Sequence, residues 1–452
     1  MGSLIAVGVS LRGAIEVSGF EELREKSPSL EPPVVVVSEK AFSRAGEVRA
    51  LLEDLGVYEA LVDLVDASIE PRLSRGVFTL EDLAEARLAK ISESRWREAR
   101  RALEPEKVVS RRSILTRGPY AAQVLLDKPV VNATLCSSLE RCSLCVSRCP
   151  SRALSGKPPE VDDGKCVSCG VCYSVCPLEA ISSPLLTWRS VREFCESLRK
   201  RSLEPAHVVI ASYRDLAEAD SIEAEHPTVL LPVESARALT PIHVAILASY
   251  GFTPHVVYKS PPLWLKEVEE AGLVSGYKSV SELREGLFRE PRFKFASVNR
   301  DPTRSRAFSR LVLSQRGAEL SLSFPLTSEI FVNEELCTLC GACVNSCHTG
   351  ALSLAEDERS ASLVFEPELC IGCRECEAVC PERAARVEWL YKPDSARRTL
   401  ASSPLARCVK CGALLGPEKL VENVEKRLRR TGVEARYLRM CVICRQRSVF
   451  GD

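Results

Sequence analysis

Apolar and polar residues follow two rhythms along this chain, and the changes between them mark its parts. Ile5–Val9 and Val34–Val37 are short runs rich in β-branched residues, while stretches 47–55 and 80–103 carry apolar residues at helical spacing with charges between them. Residues 1–108 therefore predict an N-terminal α/β domain that ends in a long charged helix. Trp188–Arg201 reads as a second helix. Val208–Ala211, Val229–Pro232 and His255–Tyr258 then read as parallel strands, with a helix over Ala236–Tyr250 between the last two, which predicts a small central α/β domain. Near the end, Pro417–Arg430 places Leu420, Val424 and Leu428 on one helix face.

No apolar run reaches the roughly 18 residues of a membrane-span candidate, and Met1–Arg12 has no leader-like order of charged then apolar residues. The expectation is a soluble chain without a membrane span. Ser110–Leu115 contains paired arginines in the manner of an export signal, but lies deep in the chain with no long apolar segment behind it. It reads as part of a surface linker over 109–131. No G-x-G-x-x-G follows a predicted strand and no G-x-x-x-x-G-K is present, so nothing here supports nucleotide, flavin or nicotinamide binding.

Cysteine departs furthest from ordinary composition. The 452 residues include 21 cysteines, and 20 of them fall into five sets of four. Spacings of C-x-x-C point to metal rather than disulfides, and with them to a reducing, cytoplasmic setting. One tract reads Cys337-x-x-Cys340-x-x-Cys343-x-x-x-Cys347 and then Cys370-x-x-Cys373-x-x-Cys376-x-x-x-Cys380-Pro381, with 22 residues between the two halves. An earlier tract reads Cys136, Cys142, Cys145 and Cys149-Pro150, followed by Cys166, Cys169, Cys172 and Cys176-Pro177. A run of three closely spaced cysteines holds three irons of a 4Fe-4S cube, and a thiolate from elsewhere must hold the fourth.

Both tracts resemble bacterial-type dicluster ferredoxins, over residues 132–183 and 330–390. The resemblance implies two clusters per module, with the fourth ligand crossed between halves. Cys337, Cys340, Cys343 and Cys380 would hold one cluster, and Cys370, Cys373, Cys376 and Cys347 its neighbour. In the first module the sets would be Cys136, Cys142, Cys145 with Cys176, and Cys166, Cys169, Cys172 with Cys149. Two departures stand out. His348 replaces the usual proline, and five residues separate Cys136 from Cys142; were Cys136 free, its site could hold a three-iron cluster.

Cys408-x-x-Cys411 and Cys441-x-x-Cys444 form the fifth set, with 29 residues between the pairs. Two such knuckles suit one tetrahedral metal, and zinc in a structural role is the expected occupant of a domain over 400–452; a rubredoxin-like iron is the alternative. Cys195 stands outside the sets and reads as a buried structural thiol. His207, His226, His243 and His255 share the central domain but show no ligand spacing.

Residues 184–300 resemble the small iron–sulfur subunit of methyl-viologen-reducing hydrogenases, the matching segment being Leu231-Pro232-Val233-Glu234-Ser235. Glu234 stands where that family has a cysteine, so the resemblance implies the fold without its metal site. A linker helix is expected over 301–329. The fold class expected for the whole is multidomain α+β and α/β: two dicluster modules, N-terminal and central α/β domains, and a zinc-ribbon-like knuckle domain.

Lys and Arg total 61, equal to Asp and Glu, so no overall field favours nucleic acid or an anionic membrane. Arg284, Arg289, Arg292, Arg300, Arg304, Arg306, Arg310 and Arg316 make 284–316 a solvated face or a docking site for an acidic partner. Methionine occurs only at positions 1 and 440, and 27% of residues are charged, a balance common in proteins from hot environments. The C-x-x-x-C-x-x-C signature of radical S-adenosylmethionine chemistry is absent. Taken whole, the order of modules resembles the multi-cluster subunits that accompany hydrogenases, formate dehydrogenases and other molybdopterin oxidoreductases. That implies a non-catalytic electron-transfer subunit carrying four 4Fe-4S clusters between a separate catalytic chain and a soluble carrier. Two other readings stand beside it: an assembly or maturation factor that binds a client through its zinc and iron–sulfur domains, and an enzyme acting near Glu234 and His243.

Overall fold

Ser3–Val7 and Val34–Ser38 lie side by side in a parallel sheet of four strands, with Ile15–Val17 at one edge and Val62–Asp66 at the other. Val34–Ser38 and Val62–Asp66 are buried along their whole length, as strands covered on both faces must be. The computed structural model describes residues 2–26, 32–54, 62–93, 128–296, 305–314, 319–393, 396–431 and 437–450. These divide into two compact units, Met1–Ser137 with Ser143–Arg316, and Ser138–Cys142 with Gly317–Asp452.

A second parallel sheet in the first unit has the order Thr228–Val233, Ala206–Ser212, Phe252–Val257, Ser275–Tyr277. The three strands expected here are present, each a residue or more longer at its N-terminal end. The expected helix over Ala236–Tyr250 is shorter, Pro241–Ser249, because Pro241 sets its first turn and Thr240 with His243 forms its capping box. The charged helix from Leu80 runs to Ser92, and its expected continuation lies outside the described residues, as does the arginine pair at 111–112.

The N-terminal and central sheets share one apolar core, in which Ile5, Val34, Val36 and Leu64 join Val209, Leu230 and Val257. Polar links run through the same core. The Lys90 ammonium lies 2.5 Å from Asp63 and donates to the Pro232 carbonyl at 2.8 Å, while the Tyr213 hydroxyl donates to Asp63 at 2.5 Å. Arg49 holds Glu234 through both nitrogens of its fork, at 2.7 and 3.3 Å, and stacks 4.0 Å from the Tyr213 ring centroid. Burial alone would push the Asp63 carboxyl up, but Lys90 and Arg87 outweigh it and hold the group below its ordinary range. Glu234 and His243 each have a partner of their own. Glu234 serves Arg49, and the buried His243 accepts from the Thr240 N–H.

Three side chains of the central sheet form a directed chain of hydrogen bonds. The Arg289 carbonyl can only accept, so His207 Nε2 carries the proton shared with it at 3.0 Å. His207 Nδ1 then accepts from His255 Nε2 at 2.9 Å, and His255 Nδ1 accepts from the Tyr277 hydroxyl at 3.1 Å. Both rings are neutral: burial brings His207 down to about 4 and His255 well below its ordinary value.

In the second unit, Leu352–Glu356, Ser360–Phe365, Arg398–Arg407 and Leu414–Pro417 make a four-stranded antiparallel sheet. The knuckle region thus continues the sheet of the second cysteine module. Within the expected linker helix 301–329, Ser305–Ser314 is helical, whereas Leu320–Ser321 pairs with Leu390–Tyr391 and Phe324–Glu329 is buried.

Two outcomes are expected. Lys90→Met should destabilise the first unit by about 3–5 kcal/mol, because it leaves the buried Asp63 carboxylate without its cation, and Asp63→Asn in the same chain should restore part of the loss. Hydrogen exchange in Val62–Asp66 measures both, and equal protection in K90M and wild type would refute the account. The depressed histidine values give stability that is complete above the unfolded histidine pKa near 6.5 and is lost as pH falls from there towards 4. Exchange in Ala206–Ser212 should accelerate across that window; a flat profile would count against neutral buried rings.

Candidate iron–sulfur and metal centres

The two cysteine modules repeat one plan. In the first, Val130–Val131 pairs with Ile181–Ser182 and encloses the hairpin of Leu154–Ser155 with Glu160–Val161. In the second, Glu329–Val332 pairs with Ala385–Glu388 and encloses Leu352–Glu356 with Ser360–Phe365. Each half contributes a short helix that carries its third cysteine: Leu144–Arg148, Val171–Val175, Ala342–Asn345 and Glu375–Val379.

One backbone hydrogen bond closes each half, and it occurs four times. The residue four places before each first cysteine donates its N–H to the carbonyl of an alanine four places after a fourth cysteine. The pairs are Asn132 to Ala180 at 2.7 Å, and Asp162 to Ala153, Asn333 to Ala384 and Glu366 to Ala351, each at 2.8 Å. Every pair joins the opening of one half to the end of the other half of its module. Cys136 and Cys176, Cys166 and Cys149, Cys337 and Cys380, and Cys370 and Cys347 are brought towards each other in this way.

The same alanines position the fourth sulfurs. The N–H groups of Ala153, Ala180 and Ala384 donate to Cys149, Cys176 and Cys380 Sγ, each at 3.2 Å. A left-handed residue precedes every one of these alanines, namely Arg152, Glu179, Gly350 and Arg383, and turns the chain so that the amide faces back to sulfur. Cysteine spacing does not reveal this turn. Reading C-x-x-x-A after each fourth cysteine would have found it, because the four segments end in Ala153, Ala180, Ala351 and Ala384.

In three halves the middle cysteine lies between two left-handed residues: Ser168 and Gly170, Leu339 and Gly341, Gly372 and Arg374. These reversals wrap the loop into a bowl. Glycine is required at two of them for space as well as for backbone freedom. A Cβ on Gly170 would run into the Arg237 carbonyl, and one on Gly372 into Ser328 and the Trp389 ring.

The first half of the first module departs from this pattern. Cys136 sits at the end of Asn132-Ala-Thr-Leu-Cys136, which matches Asn333-Glu-Glu-Leu-Cys337 of the second module. The two cysteines make the same bond, each donating its N–H to the asparagine carbonyl four residues back, at 2.9 and 3.0 Å. Cys136 therefore holds the same backbone position as Cys337, and it packs with Cys176, Cys145 and Cys172. The extra residues fall after it, in the segment Ser138–Cys142, which divides with the second unit.

One apolar cavity in the second module is lined by Cys337, Cys340, Cys343 and Cys380, with Ile330, Leu352 and Leu363 around them. Its donor set suits an iron–sulfur cube: four sulfurs, few competing oxygens and apolar walls. Burial first, and the other thiols of the set second, push Cys343 up to about 11. Burial also raises Cys172, with Cys169, Cys166, Cys145 and Cys149 adding to it, and Cys376, with Cys370, Cys373, Cys343 and Cys347 adding to it. Burial pushes Cys149 up too, but the Ala153 N–H and the Ser151 hydroxyl outweigh it and bring the thiol down. Such crowded thiols become thiolates when a bound cation compensates them. Cys195 is fully buried on the helix Trp188–Arg199, and burial raises its thiol far above the ordinary value.

The C-terminal cysteines converge as well. Cys408, Cys411, Cys441 and Cys444 bring their sulfurs within 4.8 Å of one another. Cys408 ends the strand Arg398–Arg407, the chain turns through Gly412, and Leu414–Pro417 returns beside it, so the first knuckle is the tip of a hairpin. The second knuckle opens the helix Val442–Phe450. Backbone N–H groups, that of Cys441 foremost, bring Cys408 down to about 6, whereas hydrogen bonds with Cys411 and Cys441 push Cys444 up to about 12. The arrangement is compatible with a zinc-ribbon knuckle.

Residues 336–384 match the family model described as a 4Fe-4S dicluster domain, and residues 159–182 match that of a 4Fe-4S binding domain. The chain is 34% identical over 65 residues to an uncharacterized ferredoxin of Methanocaldococcus jannaschii, covering 14% of this chain and 83% of that protein. It is 39% identical over 51 residues to a ferredoxin-like protein in the nif region of Rhizobium leguminosarum bv. trifolii, covering 10% and 73%. Identity to the polyferredoxin protein MvhB of Methanothermus fervidus is 31% over 83 residues, which is 18% of this chain but only 19% of that protein. Likeness of the central part to a hydrogenase subunit is weak. No helix among the described residues is long and apolar enough to cross a membrane. On these matches the chain belongs to the ferredoxin family and is a multi-cluster 4Fe-4S electron-transfer protein.

Proposed function

We propose that the chain is a relay of four 4Fe-4S clusters, passing electrons between a separate oxidoreductase and a carrier. The observation that carries this reading is the hydrogen bond made four times between the opening of one half-module and the alanine beyond the crossed fourth cysteine. It supports Cys337, Cys340, Cys343 and Cys380 as one ligand set and Cys370, Cys373, Cys376 and Cys347 as the next. The same bond draws Cys136 towards Cys176 and Cys166 towards Cys149, which supports Cys136, Cys145 and Cys176 as members of the third set, with Cys142 added on its spacing alone, and Cys166, Cys169, Cys172 and Cys149 as the fourth. Each cluster would supply one-electron transfer with little rearrangement. The protein's part is to fix sulfur positions through turns and amides: N–H donation to Cys149, Cys176 and Cys380 Sγ disperses sulfur charge and favours the reduced state. With four cysteines assigned to each site, the chain offers no open iron position for substrate, which supports a catalytic centre on another polypeptide.

Cys408, Cys411, Cys441 and Cys444 would hold one structural zinc. Lowered Cys408 and Cys441 favour thiolates, and the proton retained at Cys444 must leave when metal binds.

Anaerobically purified protein should contain about sixteen irons and one zinc per chain, with interacting reduced-cluster signals in low-temperature EPR after dithionite. About eight irons would overturn the four-cluster reading. Cys380→Ser should remove or convert only the cluster of Cys337, Cys340 and Cys343, so iron should fall by no more than about four per chain. A loss of about eight irons with normal folding of the module would refute independent sets. Chelation should release zinc faster as pH falls from about 7 to about 5.5, because protons compete with the metal for the cysteine thiolates. Zinc retention that does not change across that range would argue against thiolate ligation by these four residues.

A further inference from the structure

The neutral total charge conceals a strong local excess. Residues 396–452 contain 13 Lys and Arg against 5 Asp and Glu, a net charge of +8, which the remainder balances with 48 against 56. The two knuckle segments themselves, 405–416 and 437–450, carry Arg407, Lys410, Arg439, Arg445 and Arg447 and no acidic residue. Arg439 is engaged by Glu418 and Glu425; Arg407, Lys410, Arg445 and Arg447 are exposed, with Arg407 donating to the Gly412 and Glu358 carbonyls, Lys410 to the Ser448 hydroxyl and Arg445 to the Met440 carbonyl.

Among these cations stand apolar side chains that the fold leaves in solvent. Val409 is 66% exposed, Val442 68% and Ile443 62%, and Leu414 follows at 51%. Of the four large apolar residues of the described chain that exceed 60%, three lie on the knuckles. All three fall between paired cysteines. As the sulfurs turn inward to one another, within 4.8 Å, the residues between them occupy the outer tips of the turns. Two tips are thus held beside one metal position, each aliphatic and each bordered by cations.

We propose that these knuckles are a docking tip for an anionic lipid bilayer, with Val409, Val442 and Ile443 entering the interface while Lys410, Arg407 and Arg445 meet lipid phosphates. Convex aliphatic tips suit a soft apolar medium that closes around them, and a ring of basic residues supplies the second signal that stable peripheral attachment requires. Nucleic acid would meet the cations but has no use for aliphatic tips without a stacking face. The attachment needs no membrane-spanning helix and would hold the electron relay at a membrane surface. It rests on the four cysteines acting as one metal site, so zinc content is measured on every sample.

The test is co-flotation of the metal-loaded full chain with vesicles at about 0.1 M salt, using phosphatidylcholine alone or with about 30% phosphatidylglycerol. The expected result is flotation with anionic vesicles and at least about tenfold weaker binding to neutral ones. Val442→Ser with Ile443→Ser should weaken anionic binding at least about tenfold while zinc and iron stay unchanged, and Lys410→Gln with Arg445→Gln should do likewise. Anionic binding unaffected by the serine pair would overturn insertion in favour of simple adhesion. Zinc-replete protein that fails to float would overturn the proposal outright, as would a single-stranded oligonucleotide or an acidic protein that displaces the vesicles and is indifferent to the serine pair. Failure accompanied by missing zinc would instead refute the metal site on which the proposal rests.

Discussion

A single backbone hydrogen bond, from the residue four places before a first cysteine to an alanine four places after a fourth, organises both cysteine modules. In two of its four occurrences it joins the two ends of a module, and in each it draws a first cysteine towards the fourth cysteine of the other half. The carbonyl of each alanine holds the partner loop, and in three of the four halves its own N–H reaches the sulfur behind it. One residue thus couples fold closure to sulfur placement. Alanine suits the position because its side chain asks for little room where two turns cross: Ala180, Ala153 and Ala351 are buried almost completely and Ala384 nearly so. The short outer strands, two residues each in the first module and four in the second, extend the same junction and would be marginal without it.

The first unit solves a different problem. Its N-terminal and central sheets present apolar faces to a common core, yet charged side chains cross that core in pairs. Asp63 with Lys90 and Glu70 with Arg87 are almost wholly buried. Two such pairs add little net stability over an apolar packing of the same volume, since desolvation offsets most of the attraction. What they add is register: Lys90 must reach both Asp63 and the Pro232 carbonyl, and Arg49 must reach Glu234, so the sheets can mate in one arrangement. Burial raises Glu70 to about 7 despite Arg87, which shows how close desolvation comes to winning there.

These pairs also explain where the sequence was hard to read. The fully buried strands Val34–Ser38 and Thr228–Val233 stand out as β-branched runs, and the cysteine spacings announce the modules at once. Val62–Asp66 did not stand out, because Val-Asp-Leu-Val-Asp looks half solvated until its aspartates are seen to be buried against Lys90 and Ser68. Nothing in the sequence around Glu234 marks it as the partner of Arg49, 185 positions away. In the modules, the cysteine spacing was legible while the turns that support it were not. Doubt attached to Cys136 because the eye compares gaps between cysteines, whereas the chain preserves Asn-x-x-Leu-Cys and accommodates the extra residues after it.

The knuckle domain was expected to be separate, and the strand Arg398–Arg407 shows why spacing alone suggests a boundary that the sheet does not have. One edge of that strand pairs with Ser360–Phe365 of the cysteine module and the other with Leu414–Pro417 of the metal hairpin. The ladder carries a register shift on each side, between Leu363 and Val364 and between Ala406 and Arg407. Such irregularities bend a strand and sharpen its twist, so the strand can leave the module's sheet and still deliver Cys408 to the tip of the hairpin. Metal at Cys408 and its partners would hold the far end of this shared strand. The near end is held by Arg398, which ion-pairs at 2.6 Å with the buried Glu329 on an outer strand of the module. A strand held by a carboxylate at one end and leading at the other to the converging sulfurs of the knuckles connects the two cysteine regions, and its hydrogen bonds make them parts of one sheet.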